Sequence, residues 1–205
     1  RFVKLTDDCL DYAERYMRRT IEGMEDGCYK AEVLTEDGLD LDEPLRLCVA
    51  VTVAGDEITV DFTGTSDQRD NALNCPYSST LSMVHYAVKC IAAADLKQNQ
   101  GCTRPITVKV PKGSALNPKR PGAVGSRHFT QQAVADVVLK AMLPLAPAHA
   151  AAGCHTSFPG LRAGGFDDRP ERRINGTGDT DDAMPYYIIA DILGGGMGGS
   201  AHGDG

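Results

Sequence analysis

The chain has 205 residues, a formal net charge of −7 and no run rich in Lys or Arg, so it gains nothing from phosphate neutralisation and nucleic acid is not an expected partner. With 42% hydrophobic and 24% charged residues it has an ordinary globular composition, and no apolar run approaches the ~20 residues needed to cross a bilayer as a helix. The cysteines at 9, 28, 48, 75, 90, 102 and 154 form no C-x-x-C pair; an odd set, partly in apolar patterns, points to a reducing cytoplasm.

Residues 6–24 read as a helix. Thr6 is placed to cap it, and Asp7 and Asp8 suit its positive end. Cys9, Tyr12, Ala13, Tyr16, Met17 and Thr20 make one stripe, and Gly23 and Gly27 end the element. Strands follow. Tyr29, Ala31 and Val33 alternate with charged residues, and Leu45 through Val53 keep the same period. After the Gly55-Asp56 turn, Ile58, Val60 and Phe62 repeat it. Period two with one apolar face predicts an antiparallel meander. Between these strands, Asp40, Asp42 and Glu43 resemble a calcium loop only superficially, because Pro44 intrudes and the glycine is misplaced; they read as a solvated loop.

Residues 79–94 read as a buried helix with Leu81, Val84, Val88 and Ile91 on its main stripe. His85 shares that stripe as a core histidine, with no metal-ligating residue at i±4. Ile106, Val108 and Val110 form a short strand. The run Asn117 to Gly122 must be a loop, and a helix spans about 130–143, with Pro144 stopping it. Residues 145–184 read as irregular, and 186–193 as a central, nearly all-apolar strand. The order predicts an α+β fold: an antiparallel meander with packed helices in a mixed sheet.

Gly194, Gly196 and Gly199 satisfy G-x-G-x-x-G after that last strand. A dinucleotide fingerprint needs a following helix and an acidic residue ~20 positions on. Neither is present before residue 205, so these glycines are expected to serve close backbone approach, to protein or to ligand.

Several residues are chemical candidates. Arg127 and His128 sit just ahead of the 130–143 helix, where helix N–H groups and positive side chains suit an anion or oxyanion; a surface Arg and a capping His is the equal alternative. His149, Cys154 and His155 mimic a metal site without a fourth ligand, and no metal ligand is assigned among them. His155 is kept as a catalytic candidate, with Cys154 beside it favoured as structural. Asn74 either hydrogen-bonds a substrate or closes a turn. Gly196 and Asp204 flank the glycine loop as substrate-binding candidates, with His202 beside them.

Four segments taken together resemble the hydantoinase B/5-oxoprolinase family: Val60 through Ser66 (VDFTGTS), Asn74-Cys75-Pro76, Asn99-Gln100-Gly101-Cys102, and Tyr187 through Gly199 with Asp204-Gly205. Pro105, Pro111, Gly113, Asn117 and Pro118 match the family's run before its central helix. The resemblance implies a component of an ATP-dependent cyclic amide hydrolase that opens a hydantoin or lactam ring. ATP would be bound by an actin-like A-type ATPase partner. A subunit of an acetone- or acetophenone-type carboxylase is the alternative, and a non-catalytic truncated domain the second. The family's Thr-His-x-x-Asp and Gly-His-x-x-Asp segments, which look like its divalent-metal ligands, do not occur here. The chain is therefore expected to be one hydantoinase B-like domain, a portion of a longer polypeptide, binding no cofactor itself and inactive alone. Arg-His at 127–128 and the Ala152-to-His155 segment depart from the oxoprolinase branch, which argues weakly against 5-oxoproline as substrate.

Overall fold

The computed structural model describes residues 2–35, 44–153, 160–169, 185–192, 196, 198–200 and 203–204. The chain divides into two compact units, one formed by 1–156 with 197–205, the other by 157–196.

The first unit carries α1 (Phe2–Glu22), β1 (Gly27–Thr35), β2 (Leu45–Ala54), β3 (Glu57–Asp61), α2 (Tyr77–Ala92), β4 (Ile106–Lys109) and α3 (Arg127–Met142). The strands form one sheet in the order β1-β2-β3-β4. The first two pairings are antiparallel, with Tyr29 opposite Val51 and Val51 opposite Val60, which is the expected meander. β4 joins β3 in parallel, with Ile58 opposite Ile106, so the sheet is mixed and the fold is α+β. The register places Leu45, Leu47, Val49, Val51 and Val53 on one buried face. Helices cover that face with Ala13, Met17 and Ile21 of α1, Val84 and Val88 of α2, and Val134 and Val138 of α3. Each large side chain buried there contributes about 1.5–3 kcal/mol.

Local details differ from the sequence expectation. Helix α1 already runs at Phe2, and Thr6 is not its cap: the Thr6 hydroxyl donates back to the Phe2 carbonyl at 3.3 Å, one turn earlier. Asp7 and Asp8 therefore lie beyond the first turn. The buried stripe is Ala13, Met17 and Ile21, rotated from the expected one, and Tyr12 is 57% exposed. The rotation follows the i, i+4, i+8 row that reaches the sheet. Helix α3 starts at Arg127, three residues before the expected 130, so Arg127 and His128 belong to its first turn. The loop containing Asp40, Asp42 and Glu43 lies outside the described residues.

An ion-pair cluster clamps α1 to its surroundings. Arg18 contacts Glu14 at 2.9 Å and Asp56 and Glu57 at 3.1 Å each, and Arg104 contacts Asp11 at 2.7 Å and Glu14 at 2.8 Å. Near Arg104, Gly101 lies so close to α1 that a Cβ there would collide with the Leu10 carbonyl.

The second unit contains β5 (Gly160–Phe166) and β6 (Tyr186–Ile192), paired antiparallel with Phe166 opposite Tyr186. β5 was expected to be irregular. Its glycines hid it: the rings of Tyr186 and Tyr187 lie over Gly164 and Gly165 and supply the cover that β5 lacks. β6 was expected to be central. Among the described residues its one partner is β5, and Tyr186, Ile188 and Ile189 are exposed.

Candidate functional site

The loop between β3 and α2 and the loop before α3 are stitched into one body. Asn74 is the central stitch. Its carboxamide nitrogen donates to the carbonyls of Arg69 (2.8 Å), Asn71 (2.9 Å) and Ala123 (3.0 Å), and its oxygen accepts from the Arg69 amide at 2.8 Å. The Ser126 amide donates to the Ala72 carbonyl at 2.9 Å, and the Thr130 hydroxyl donates to the Leu73 carbonyl. Helices α2 and α3 thus begin beside the same short stretch, 72–76.

Neither helix has an acidic residue in its first turn. The positive ends of both dipoles are left uncompensated by carboxylates there. Arg127 adds a full charge at the exposed start of α3; its guanidinium donates to the Val124 carbonyl at 3.3 Å. His128 is half-buried, and its ring lies against Phe129 with centroids 4.2 Å apart. Between the helix starts sits the Cys75 thiol. Burial pushes its pKa up, while the Thr80 hydroxyl and the charge of Arg127 pull it down. Cys75 and Asn74 are both sealed from solvent, whereas Arg127 is exposed and His128 half-buried at the start of α3. Chemically, this rim can hold an anion, and the buried Cys75 thiol is not open to attack a substrate there.

The structure therefore brings Asn74, Arg127 and His128 together, with Asn74 in the loop-closing role. Asp204 is exposed and follows the Ser200–Gly203 bridge. Gly196 belongs to the second unit, and a Cβ there would meet nothing within 4 Å. His155, Cys154 and His202 lie outside the described residues. Of the glycines expected to serve close backbone approach, Gly194 lies outside the described residues and Gly196 is open; the close approach falls at Gly198, where a Cβ would collide with the Ala152 carbonyl, beside the Ala152 amide that donates to the Gly199 carbonyl at 2.9 Å.

The other resemblance motifs have structural work as well. The Asp61 carboxylate accepts from both the amide (2.8 Å) and the hydroxyl (2.6 Å) of Thr63, which holds its pKa below the ordinary aspartate value. The Thr65 hydroxyl bonds both the amide and the carbonyl of Cys48, and the Arg46 amide donates to the Ser66 hydroxyl. Asn99 caps the turn at Gln100–Thr103 by accepting from the Gly101 amide at 2.8 Å.

Sequence reasoning missed Asp136. It is a half-buried carboxyl on α3, and burial raises its pKa. The signal was available: Gln132, Asp136 and Lys140 recur every four residues along a helix whose other faces are largely apolar. His85 is half-buried on α2, and burial lowers its pKa. Among the described residues no three His, Cys, Asp or Glu side chains gather as a metal site would require. A divalent metal of the kind the resemblance implies therefore does not fit the residues described.

An α+β unit of this topology, with helix starts gathered at one loop, defines a class of fold rather than a reaction. The chain matches the hydantoinase B/oxoprolinase family over residues 1–205, and it belongs to that family. A protein of Pseudomonas sp. (strain NS671), provisionally named as the B-type component of a D-/L-hydantoinase, is 31% identical over 98% of this chain and 33% of its own length. The 5-oxoprolinase of Saccharomyces cerevisiae is 34% identical over 70% of this chain and 11% of its own length. The chain thus spans a third or less of these relatives. Among solved structures, the ATP-dependent caprolactamase from Pseudomonas jessenii superposes with a TM-score of 0.70 over 84% of this chain and 28% of that one, at 23% identity. A nucleotide-free acetone carboxylase superposes with a TM-score of 0.62 over 76% of this chain and 23% of that one, at 16% identity. Both structural likenesses establish the fold.

Proposed function

We propose that this chain is part of a component of an ATP-dependent hydrolase that opens a cyclic amide, a hydantoin or a lactam, together with an actin-like A-type ATPase subunit. The observation that carries the reading is the full-length match to the hydantoinase B/oxoprolinase family, supported by two relatives above 30% identity whose names specify hydantoin and 5-oxoproline chemistry. The likeness to acetone carboxylase is one of fold at 16% identity, so hydrolysis is preferred to carboxylation.

A lactam carbonyl is a poor electrophile because the amide is resonance-stabilised. Phosphorylation of its oxygen on the partner would make the carbon reactive and the substrate anionic. In this reading Arg127, His128 and the start of α3 hold that anion or the oxyanion that follows, at the rim described above. Both units are taken to belong to one hydantoinase B-like domain within a longer polypeptide, acting in the cytoplasm. His155, Gly196 and Asp204 remain candidates for contacts from the glycine-loop side.

The test is phosphate release from ATP by the complete protein with its A-type partner, measured with hydantoins and lactams and, separately, with ketones plus or minus bicarbonate. Release driven by a cyclic amide without bicarbonate is expected. Release that requires a ketone would move the protein to the carboxylase branch, and no release under any condition would leave a non-catalytic domain.

A further inference from the structure

Helix α1 carries two apolar stripes, and the fold uses one of them. Ala13, Met17 and Ile21 pack into the core. Phe2, Leu5, Cys9, Tyr12 and Tyr16 form the other and stay exposed, Phe2 at 82% and Leu5 and Tyr12 at 57%. Single exposed apolar side chains are ordinary, but a continuous stripe of them is not. The spacing along this stripe alternates between three and four residues, the a/d pattern of a coiled-coil seam. Residues 2–9 are exposed on every side, so a second helix has room beside the first turns. The ion pairs of α1 run through Asp11, Glu14 and Arg18 and leave the seam open.

The flanking charges select the occupant. Asp8 and Arg15 each precede a seam residue, Cys9 and Tyr16, which makes both of them g positions. Both are exposed, and neither joins an ion pair among the described residues. In an antiparallel pair of identical helices, a faces d and g faces g. Leu5 would then meet the second copy's Tyr16, and Cys9 the second copy's Tyr12. The same register sets Asp8 against the second copy's Arg15 and, by the two-fold symmetry, Arg15 against its Asp8. Phe2 would lie against the second copy's Arg19, a cation over an aromatic face. A parallel pair would instead oppose Asp8 with Ala13 and Arg15 with Thr20, which gives no ion pair. We infer that α1 is a self-association surface, on which a second copy of this chain pairs antiparallel through Phe2, Leu5, Cys9, Tyr12 and Tyr16. The inference stands whether or not the proposed hydrolysis is the reaction catalysed.

The experiment is sedimentation equilibrium of the complete protein over a range of concentrations, with iodoacetamide alkylation of Cys9 followed in parallel. A monomer–dimer equilibrium is expected. Cys9 is open in the single copy and covered in the pair, so its alkylation should slow as the protein concentration rises. Alkylation of Cys28, exposed on β1, should not. Leu5→Lys should weaken the dimer about a hundredfold, because each dimer loses that seam residue twice. Asp8→Arg and Arg15→Asp should each weaken it about tenfold by opposing like charges. The double variant, or an equimolar mixture of the two single ones, should restore it. All three positions are exposed, so thermal melts of the variants in dilute solution should match the wild type. A monomer at every concentration, a dimer indifferent to Leu5→Lys, or charge reversals that the double variant fails to rescue would each overturn the inference. A monomer with Cys9 protected at every concentration would overturn it too, and would give the stripe to another part of the same polypeptide.

Discussion

The Asn74 carboxamide donates to the Ala123 carbonyl at 3.0 Å, and with the Ser126–Ala72 and Thr130–Leu73 bonds it fixes the approach to α2 to the approach to α3. The same side chain spans Arg69 and Asn71, so a single buried amide closes one loop and docks another. Its removal should be felt by both helices. Asn74→Ala is expected to destabilise the protein by about 2–4 kcal/mol, because three carbonyls and one amide lose their partner in a buried place. Asn74→Asp should be no milder, since an acceptor-only carboxylate would face three carbonyl oxygens. Urea unfolding midpoints of the two variants check this.

Gly101 touches the Leu10 carbonyl so closely that no β-carbon fits. Gly101→Ala should push the Gln100–Thr103 turn away from α1 and cost about 1–3 kcal/mol. Gly23→Ala is the control, because a Cβ there stands at an ordinary 3.5 Å from the Thr20 carbonyl. Thermal melts of the pair should show a lowered Tm for the first and little change for the second.

Glu14 links both arginines of the α1 clamp. Hydrogen bonds from Arg104 and then Arg18 hold its pKa below the ordinary value of 4.5. A depressed carboxylate stabilises the fold fully above its unfolded value and loses that contribution as pH falls through the folded one. Between about pH 5 and pH 3 the wild-type protein should therefore lose stability faster than Glu14→Gln, which has no carboxylate to protonate. Denaturation midpoints against pH for the two proteins are the measurement; parallel curves would remove Glu14 from the account.

The cysteines should divide by environment. Cys9 and Cys28 are exposed, whereas Cys75 and Cys102 are buried, and burial raises the pKa of Cys75. The reactive species is the thiolate. Iodoacetamide on the folded protein is thus expected to label Cys9 and Cys28 first and Cys75 only on unfolding, as read by peptide mass spectrometry.

Arg127 is predicted to matter for turnover rather than for folding. It is exposed, and its guanidinium makes one long bond to the Val124 carbonyl. Arg127→Ala in the complete enzyme should leave Tm nearly unchanged and lower kcat/KM by about tenfold or more if the rim holds an anion. An unchanged kcat/KM would reduce Arg127 to a surface residue.

Much of the fold was legible because burial writes a period into sequence. Leu45 to Val53 alternates on one face and Val84, Val88 and Ile91 recur at helical spacing, and the structure buries both sets. Boundaries were less legible. Thr6 has the chemistry of a cap, yet it bonds backward to Phe2, since a hydroxyl serves either role and its place in the helix decides. β5 escaped notice because its cover comes from tyrosines of another strand. The site was legible only as residue types. Asn74 carries the same side chain whether it closes a turn or grips a substrate; its four partners, one of them 49 residues away, exist only in three dimensions. Asp136 was missed because a lone carboxylate on a helix normally reads as solvated surface.

The parallel pairing of β3 and β4 carries a consequence for the order of assembly. Ile58 meets Ile106 across α2 and the Gln100–Thr103 turn, so β4 docks only after that whole crossover is closed. By contrast, α1 and the β1–β2–β3 meander form from neighbouring stretches of chain. During synthesis these earlier elements leave the ribosome first, and they would wait with the part of the sheet's apolar face that α1 does not cover still exposed until α2 and α3 emerge. Codon changes that slow translation just after residue 61 would lengthen this interval and the exposure of that apolar surface.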